Sequence, residues 1–254
     1  MPMPKICIDA GHFAYYNYND KVSPKYWESK MAWKLHLMQK EELEKYGFTV
    51  ILTRDKQEND LGLMARGQKA KGCDLFISDH SNACNTESVD RAVVIYPVSG
   101  AKMDLATKLS QTVTEAMQLH DKPQIYNKWN SAHNADYYGV IRGAASVGVP
   151  GLIIEHSFHT NNRAAAWLNQ DANLRKLAKA EAKTLAEYFG IKTNVKLPFV
   201  DVPDGKYYTD AVKWAWENGL VEGTDKTHFS PDKECTRAMI VTLLKRYNDK
   251  FGGG

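Results

Sequence analysis

Residues 5–12 read KICIDAGH, a short apolar run through Ile6, Cys7 and Ile8 that passes over Ala10 and Gly11 into His12. A brief apolar stretch ended by glycine predicts a buried strand. The same pattern returns twice. Residues 74–79 (DLFISD) predict a strand running straight into His80, and residues 151–155 (GLIIE) predict one that ends on Glu155. Further strands are expected at 48–53 (FTVILT) and 92–97 (AVVIYP). Helices are expected at 28–46, 60–71, 101–119 and 171–189. In the first of these, Met31, Leu35, Met38, Glu42 and Tyr46 step by three and four, and Gly47 closes the helix. Residues 13–27 read as a polar, aromatic loop, 120–137 as irregular, and 138–148 as a short strand with a turn or helix. Strands alternating with helices predict an α/β fold, a mostly parallel twisted sheet flanked by helices on both faces. The composition then turns polar and ends in proline, so three segments are expected: a main domain over 1–190, a linker over 191–198, and a small C-terminal helical unit over 199–254, with helices near 208–218 and 236–248.

The bulk properties agree with that layout. The 254 residues suffice for one medium domain and a small second unit, and 43% hydrophobic with 25% charged residues is ordinary for a globular chain. The net charge is only +3, with Lys and Arg spread among acids, which argues against a nucleic-acid partner. No stretch approaches the roughly 20 apolar residues of a membrane span. Cys7, Cys73, Cys84 and Cys235 form no CxxC pair and no disulfide framework, and Cys7 reads as a small buried hydrophobe.

Three polar residues stand where strands run out: His12, His80 and Glu155. Open α/β sheets build sites beyond the carboxyl ends of their strands. Glu28 opens the first helix, from where it can fold back over the same edge. Two His and one Glu with a fourth position left for water is the pattern of a catalytic zinc site. Each residue also has a plainer reading. A strand-end histidine is often a hydrogen-bonded rim residue, and Glu28 suits the first turn of any helix. Glu155 ends an apolar strand and needs a partner, because burying an unpaired carboxylate is costly.

IDAGH, then Glu28, FTVILTR, DLFISDHSNA and VGVPGLIIEHSFHTN resemble, in that order, the N-acetylmuramoyl-L-alanine amidase type-3 family over about residues 5–190. The resemblance implies that His12, Glu28 and His80 bind Zn2+ and that Glu155, in an E-x-x-F segment with Phe158 in place, is catalytic. The implied reaction is hydrolysis of the amide between N-acetylmuramic acid and the L-alanine of the peptidoglycan stem peptide. The alternatives are a zinc carboxypeptidase or endopeptidase cutting within that peptide, and a bacterial amidase acting from the mother cell. Asn82 and Arg142 match positions near the family's site and are candidates for substrate contact or for structural roles. Phe13 departs from the small residues usual after the first histidine. The loop carrying Tyr15, Tyr16, Tyr18, Tyr26 and Trp27 is expected either to wall the substrate or to pack on itself. Asp79 replaces a usually apolar residue and, by strand alternation, should point away from His80's side. His156 reads as a neighbour of the site, and His120, His133 and His159 as surface or loop residues.

Residues 199–247 resemble a single S-layer homology repeat, through the FVDV start, Tyr208, Ala211 to Trp214, Gly219, Gly223, the FSP of 229–231 and Thr236–Arg237. That resemblance implies binding of a secondary cell-wall polymer, with Arg237 suited to an acidic sugar and Trp214 a second candidate contact. The frequent TRAE is TRAM here. One copy of a repeat that usually comes in threes suggests a homo-oligomer through residues 199–254, or a weak wall binder. The N-terminus has no apolar signal core. The expectation is a protein made in the cytoplasm without a signal peptide that acts on the wall after release, like a phage or prophage endolysin.

Overall fold

The computed structural model describes residues 3–191 and 197–251, in two compact units that divide between Lys192 and Thr193. The first unit runs β1 (Lys5–Ala10), β2 (Tyr18–Asn19), β3 (Tyr26–Trp27), α1 (Glu28–Lys45), β4 (Thr49–Leu52), α2 (Leu63–Gln68), β5 (Leu75–Asn82), β6 (Val93–Ile95), α3 (Met103–Met117), β7 (Gln124–Tyr126), α4 (Gly139–Ser146), β8 (Gly151–Phe158), α5 (Asn162–Leu168) and α6 (Asp171–Tyr188). Its main sheet has the order β4-β1-β5-β8-β6-β7, and every neighbouring pair is parallel except β6 with β8.

Alternation along the strands divides the core. Ile6, Ile8, Leu75, Ile77, Leu152 and Ile154 face one way, into a cluster with Leu35, Leu105, Leu109, Leu177 and Leu185 of α1, α3 and α6. Cys7, Phe76 and Ile153 face the other way, against Ile141 and Ala144 of α4. Asp9, Ser78, His80 and Glu155 share the parity of this second face, so its carboxyl end is polar where the rest is apolar. Near its end β8 carries one residue more than β5: His80 pairs with Glu155, and Asn82 with Phe158. This bulge places Ser157 at φ 61, and its hydroxyl donates to Asp90 Oδ1 at 2.8 Å.

Some expectations are corrected. The irregular stretch 120–137 contains β7, residues 138–148 hold α4 and no strand, and the loop 13–27 includes the β2–β3 hairpin. Of the expected linker over 191–198, residues 192–196 lie outside the described residues, and Leu197 is buried in the core of the second unit.

That second unit contains α7 (Thr209–Glu217) and α8 (Arg237–Phe251). Leu197, Phe199, Val202 and Val212 form its core, with Tyr208, Trp216 and Phe229 packed against it. Asp201 accepts the backbone N–H groups of Phe229 (2.9 Å) and Ser230 (2.7 Å), joining the FVDV and FSP segments. α8 buries none of its residues; Trp214 stacks on its Phe251 at 5.9 Å, and Arg246 donates to the Leu220 carbonyl at 3.1 Å. Among the described residues, no helix is long and apolar enough to cross a membrane.

Candidate active site

Strand register assembles the site. His80 lies directly opposite Glu155 on adjacent parallel strands, so the two side chains emerge side by side on one face. β1 ends one residue before Gly11, whose N–H donates to the Asp79 carbonyl at 2.9 Å, and His12 then takes φ 60. Arg54 and Arg66 both donate to the Ala10 carbonyl, at 2.5 and 3.1 Å, clamping the strand end that delivers His12. Gly11 permits this close approach: a Cβ there would stand 2.4 Å from His80 Cε1 and 2.5 Å from the Asp79 carbonyl oxygen. Gly11→Ala is therefore expected to push β1 away from β5 and displace His80, lowering both the melting temperature and metal affinity. Unchanged values in calorimetry and chelator competition would contradict this packing.

Glu28, delivered by the hairpin to the start of α1, sits between the two histidines. Its Oε1 lies 2.9 Å from His80 Nδ1 and 3.3 Å from His12 Nε2. It also accepts the Ser81 N–H at 3.0 Å, while Oε2 accepts Asn17 Nδ2 at 2.6 Å. Burial pushes Glu28 toward the neutral acid, but the bonds from His12 and His80 outweigh it and hold the carboxyl well below its usual range. Burial disfavours the His80 cation, yet the bond to Glu28 and the charges of Glu28 and Glu155 raise its pKa to about 9. Glu155 is pushed up to about 7, by burial first, with His80 opposing and Glu28 adding to the rise.

One ligand atom from each of His12, Glu28 and His80 lies within 4.8 Å of the other two, the one such cluster among the described residues. Two imidazole nitrogens and a carboxylate oxygen are the donor set of an open zinc site. Glu155 Oε2, buried and without a hydrogen-bond partner, is the kind of orphaned acceptor that a reacting group satisfies. The residues present thus fit a divalent cation with a carboxylate beside it.

The other sequence candidates fall as follows. Asn82 uses its Oδ1 on the Ala83 N–H at 2.8 Å. Arg142 donates to the carbonyls of Asp136 (2.7 Å) and Tyr137 (2.6 Å), which ties down the segment before α4. Tyr15 is exposed and meets Trp27 edge-on at 5.1 Å, with Lys30 Nζ 4.0 Å above Tyr15 and Lys25 Nζ 4.6 Å above Trp27. Tyr16 stacks on His12 at 4.7 Å. Tyr26 is not part of an exposed aromatic wall: it is fully buried, its hydroxyl 2.7 Å from Ser81 Oγ. His120 and His133 are exposed, whereas His159, in the turn after β8, is a loop residue that is buried, with Nδ1 2.9 Å from the Ser81 carbonyl. In the second unit Arg237 opens α8 and is exposed, Trp214 lies against Phe251 and Tyr247, and Trp216 packs on the core.

Asp79 and His156 occupy the opposite face, under α1 and α6. His156 Nε2 lies 2.8 Å from Glu181 Oε1 and 3.9 Å from Asp79 Oδ1, and its Nδ1–H reaches the His80 carbonyl at 3.0 Å. Gln39 Nε2 donates to both carboxylates, at 3.1 and 2.8 Å. Burial works against the His156 cation, but Glu181 and then Asp79 raise its pKa to about 9. Sequence reasoning passed over this network because Gln39 and Glu181 read as ordinary polar helix positions.

Comparison with known proteins gives concordant findings. The catalytic domain of CwlV, an N-acetylmuramoyl-L-alanine amidase from Bacillus (Paenibacillus) polymyxa var. colistinus, superposes with a TM-score of 0.60 at 23% identity, covering 75% of this chain and 100% of that one. Cwp6 from Clostridium difficile gives 0.65 at 21% identity over 73% of this chain and 29% of that chain. AmiC2 of Nostoc punctiforme, also an N-acetylmuramoyl-L-alanine amidase, gives 0.60 at 20% identity, covering 74% and 97%. At these identities the likeness is one of fold. A surface-layer 125 kDa protein of Lysinibacillus sphaericus is 31% identical over 86 residues, which is 32% of this chain and 7% of that protein. Residues 198–238 match the S-layer homology domain. The sequence model described as N-acetylmuramoyl-L-alanine amidase matches residues 6–187, most of the first unit, and the chain belongs to that family.

Proposed function

We propose that this chain is a zinc-dependent peptidoglycan hydrolase that cleaves the amide between N-acetylmuramic acid and L-alanine. The observation that carries the reading is the convergence of His12, Glu28 and His80 beside the unpartnered carboxylate oxygen of Glu155. When bound by those three side chains, zinc supplies Lewis-acid polarisation of the scissile carbonyl and acidifies water. Glu155 accepts a proton from the attacking water and returns it to the departing amine. Its raised pKa suits both steps, since a base poised near neutrality also serves as an acid. Glu28, held by Ser81 and Asn17, keeps the two imidazoles in register. Tyr15 and Trp27 offer aromatic faces to sugar or peptide, and Asn82 and Arg142 shape the surrounding loops. The test is release of new amino groups from purified walls, expected to stop on chelation and return with zinc. Full activity of metal-stripped protein would overturn the zinc reading.

The second unit, in this proposal, anchors the enzyme to an acidic secondary wall polymer through Arg237 at the start of α8, with Trp214, which lies against Phe251 at the far end of that helix, as a separate contact, consistent with a lytic enzyme that reaches the wall after release in the manner of an endolysin. Arg237→Ala is expected to weaken co-sedimentation of the full chain with walls; equal binding would remove Arg237 from recognition. Met239, Ile240, Val241, Leu243 and Leu244 are exposed along α8, an apolar row that self-association through residues 199–254 would cover. Sedimentation equilibrium decides that point, and a monomer at micromolar concentration would contradict it.

A further inference from the structure

We propose that Ser78 and Asp9 are positioning residues that fix the tautomer of His80, leaving its Nδ1 lone pair for the His12–Glu28–His80 cluster. The inference rests on the metal reading above and concerns residues behind the ligand set. Asp9, Ser78 and His80 lie on the same face of adjacent strands, with Asp9 and Ser78 directly in register. That face is otherwise apolar below them, with Cys7 under Asp9 and Phe76 under Ser78. Asp9 and Ser78 are both fully buried. A carboxylate in such a place must answer to specific donors.

The direction of each hydrogen bond follows from proton count. Both carboxyl oxygens of Asp9 accept from hydroxyl groups. Its Oδ1 takes the Thr53 hydroxyl at 2.6 Å and its Oδ2 takes the Ser78 hydroxyl at 2.8 Å, with Arg66 Nη1 at 3.6 Å balancing the charge. Ser78 has one hydroxyl proton, and Asp9 holds it. Toward His80 Nε2, 3.1 Å away, Ser78 Oγ therefore offers only a lone pair, so Nε2 must carry the hydrogen. Nδ1, 2.9 Å from Glu28 Oε1, donates to that carboxylate while His80 carries both protons, and a neutral His80 with its hydrogen on Nε2 has its free lone pair on Nδ1. A Cβ at position 11 would stand 2.6 Å from His80 Nδ1, so Gly11 keeps that edge of the ring open. Outer partners of this type orient a metal-binding histidine and fix its tautomer.

Asp9→Asn is the sharpest variant. Its amide can donate to Ser78, freeing the Ser78 proton to point at His80 Nε2 and reversing the relay. Ser78→Ala removes the relay outright. Thr53→Val removes the other donor to Asp9 without touching the chain to His80 and serves as the packing control. The experiment measures zinc affinity of the full chain by competition with a chromophoric chelator, together with nitrogen-15 spectra of the zinc-loaded histidines. Folding is checked by circular dichroism. Asp9→Asn and Ser78→Ala are expected to lose about 10- to 100-fold in zinc affinity, while Thr53→Val stays within a few-fold of the parent. The parent spectrum should show His80 metal-bound at Nδ1 and protonated at Nε2. Parent-like affinity in folded Asp9→Asn and Ser78→Ala, an equal loss in Thr53→Val, or Nε2 ligation in the parent would each overturn the relay. A parent chain that binds no zinc would instead overturn the metal reading itself, which separates the two failures.

Discussion

Glu155→Gln is expected to bind zinc as the parent does and to lose about a hundred- to ten-thousand-fold in turnover, the range removed with a positioned general acid–base. The substitution keeps the volume and removes the charge. No metal-cluster residue hydrogen-bonds to Glu155, so the ligand set should survive. Its buried Oε2 has no partner, so the folded protein bears the cost of holding that carboxylate for chemistry. Melting temperature should therefore stay level or rise, the usual exchange between activity and stability at such a site. Retained turnover would remove Glu155 from the mechanism, and loss of zinc would make it a ligand.

His156→Ala is expected to be the most destabilising single change near the site. It deletes the cation from a network in which His156, Asp79 and Glu181 are each at most 1% exposed. Two carboxylates are then left facing each other across Gln39. Removing one partner of a buried ion pair costs about 3–5 kcal/mol, a large fraction of the stability of an ordinary domain. The midpoint of urea unfolding of the first unit should fall accordingly, and a shift under about 1 kcal/mol would contradict the ion-pair description. The same network gives a sign for pH. His156 is raised to about 9 in the folded protein, against about 6.5 in an unfolded chain. Its stabilisation is complete below about pH 6.5 and is lost as pH rises through about 9. His156→Ala should flatten that part of the melting profile.

Much of this was legible because the decisive strands are short apolar runs ending in residues of the wrong polarity. KICIDA, DLFISD and GLIIE announce both a buried strand and a functional edge, and parity alone sends Asp79 away from His80. The order in which strands pair leaves no such mark. β6 and β7 have three residues each, too few for a period to declare itself, and nothing in AVVIYP says that it runs antiparallel to β8. Burial of single polar residues was equally hidden. Tyr26 and His159 look like loop residues, but they meet Ser81 behind Glu28, a contact between segments far apart in sequence. Ser78 and Asp9 read as mere strand polarity until register set them beside each other.

The bond that is cut defines the enzyme. Purified peptidoglycan digested by the zinc-loaded chain should yield, by mass spectrometry, intact stem peptides with a free L-alanine amino terminus and glycan strands whose N-acetylmuramic acid keeps its lactyl carboxylate. Fragments cut between two amino acids of the stem, or no release by the zinc-loaded protein, would contradict it.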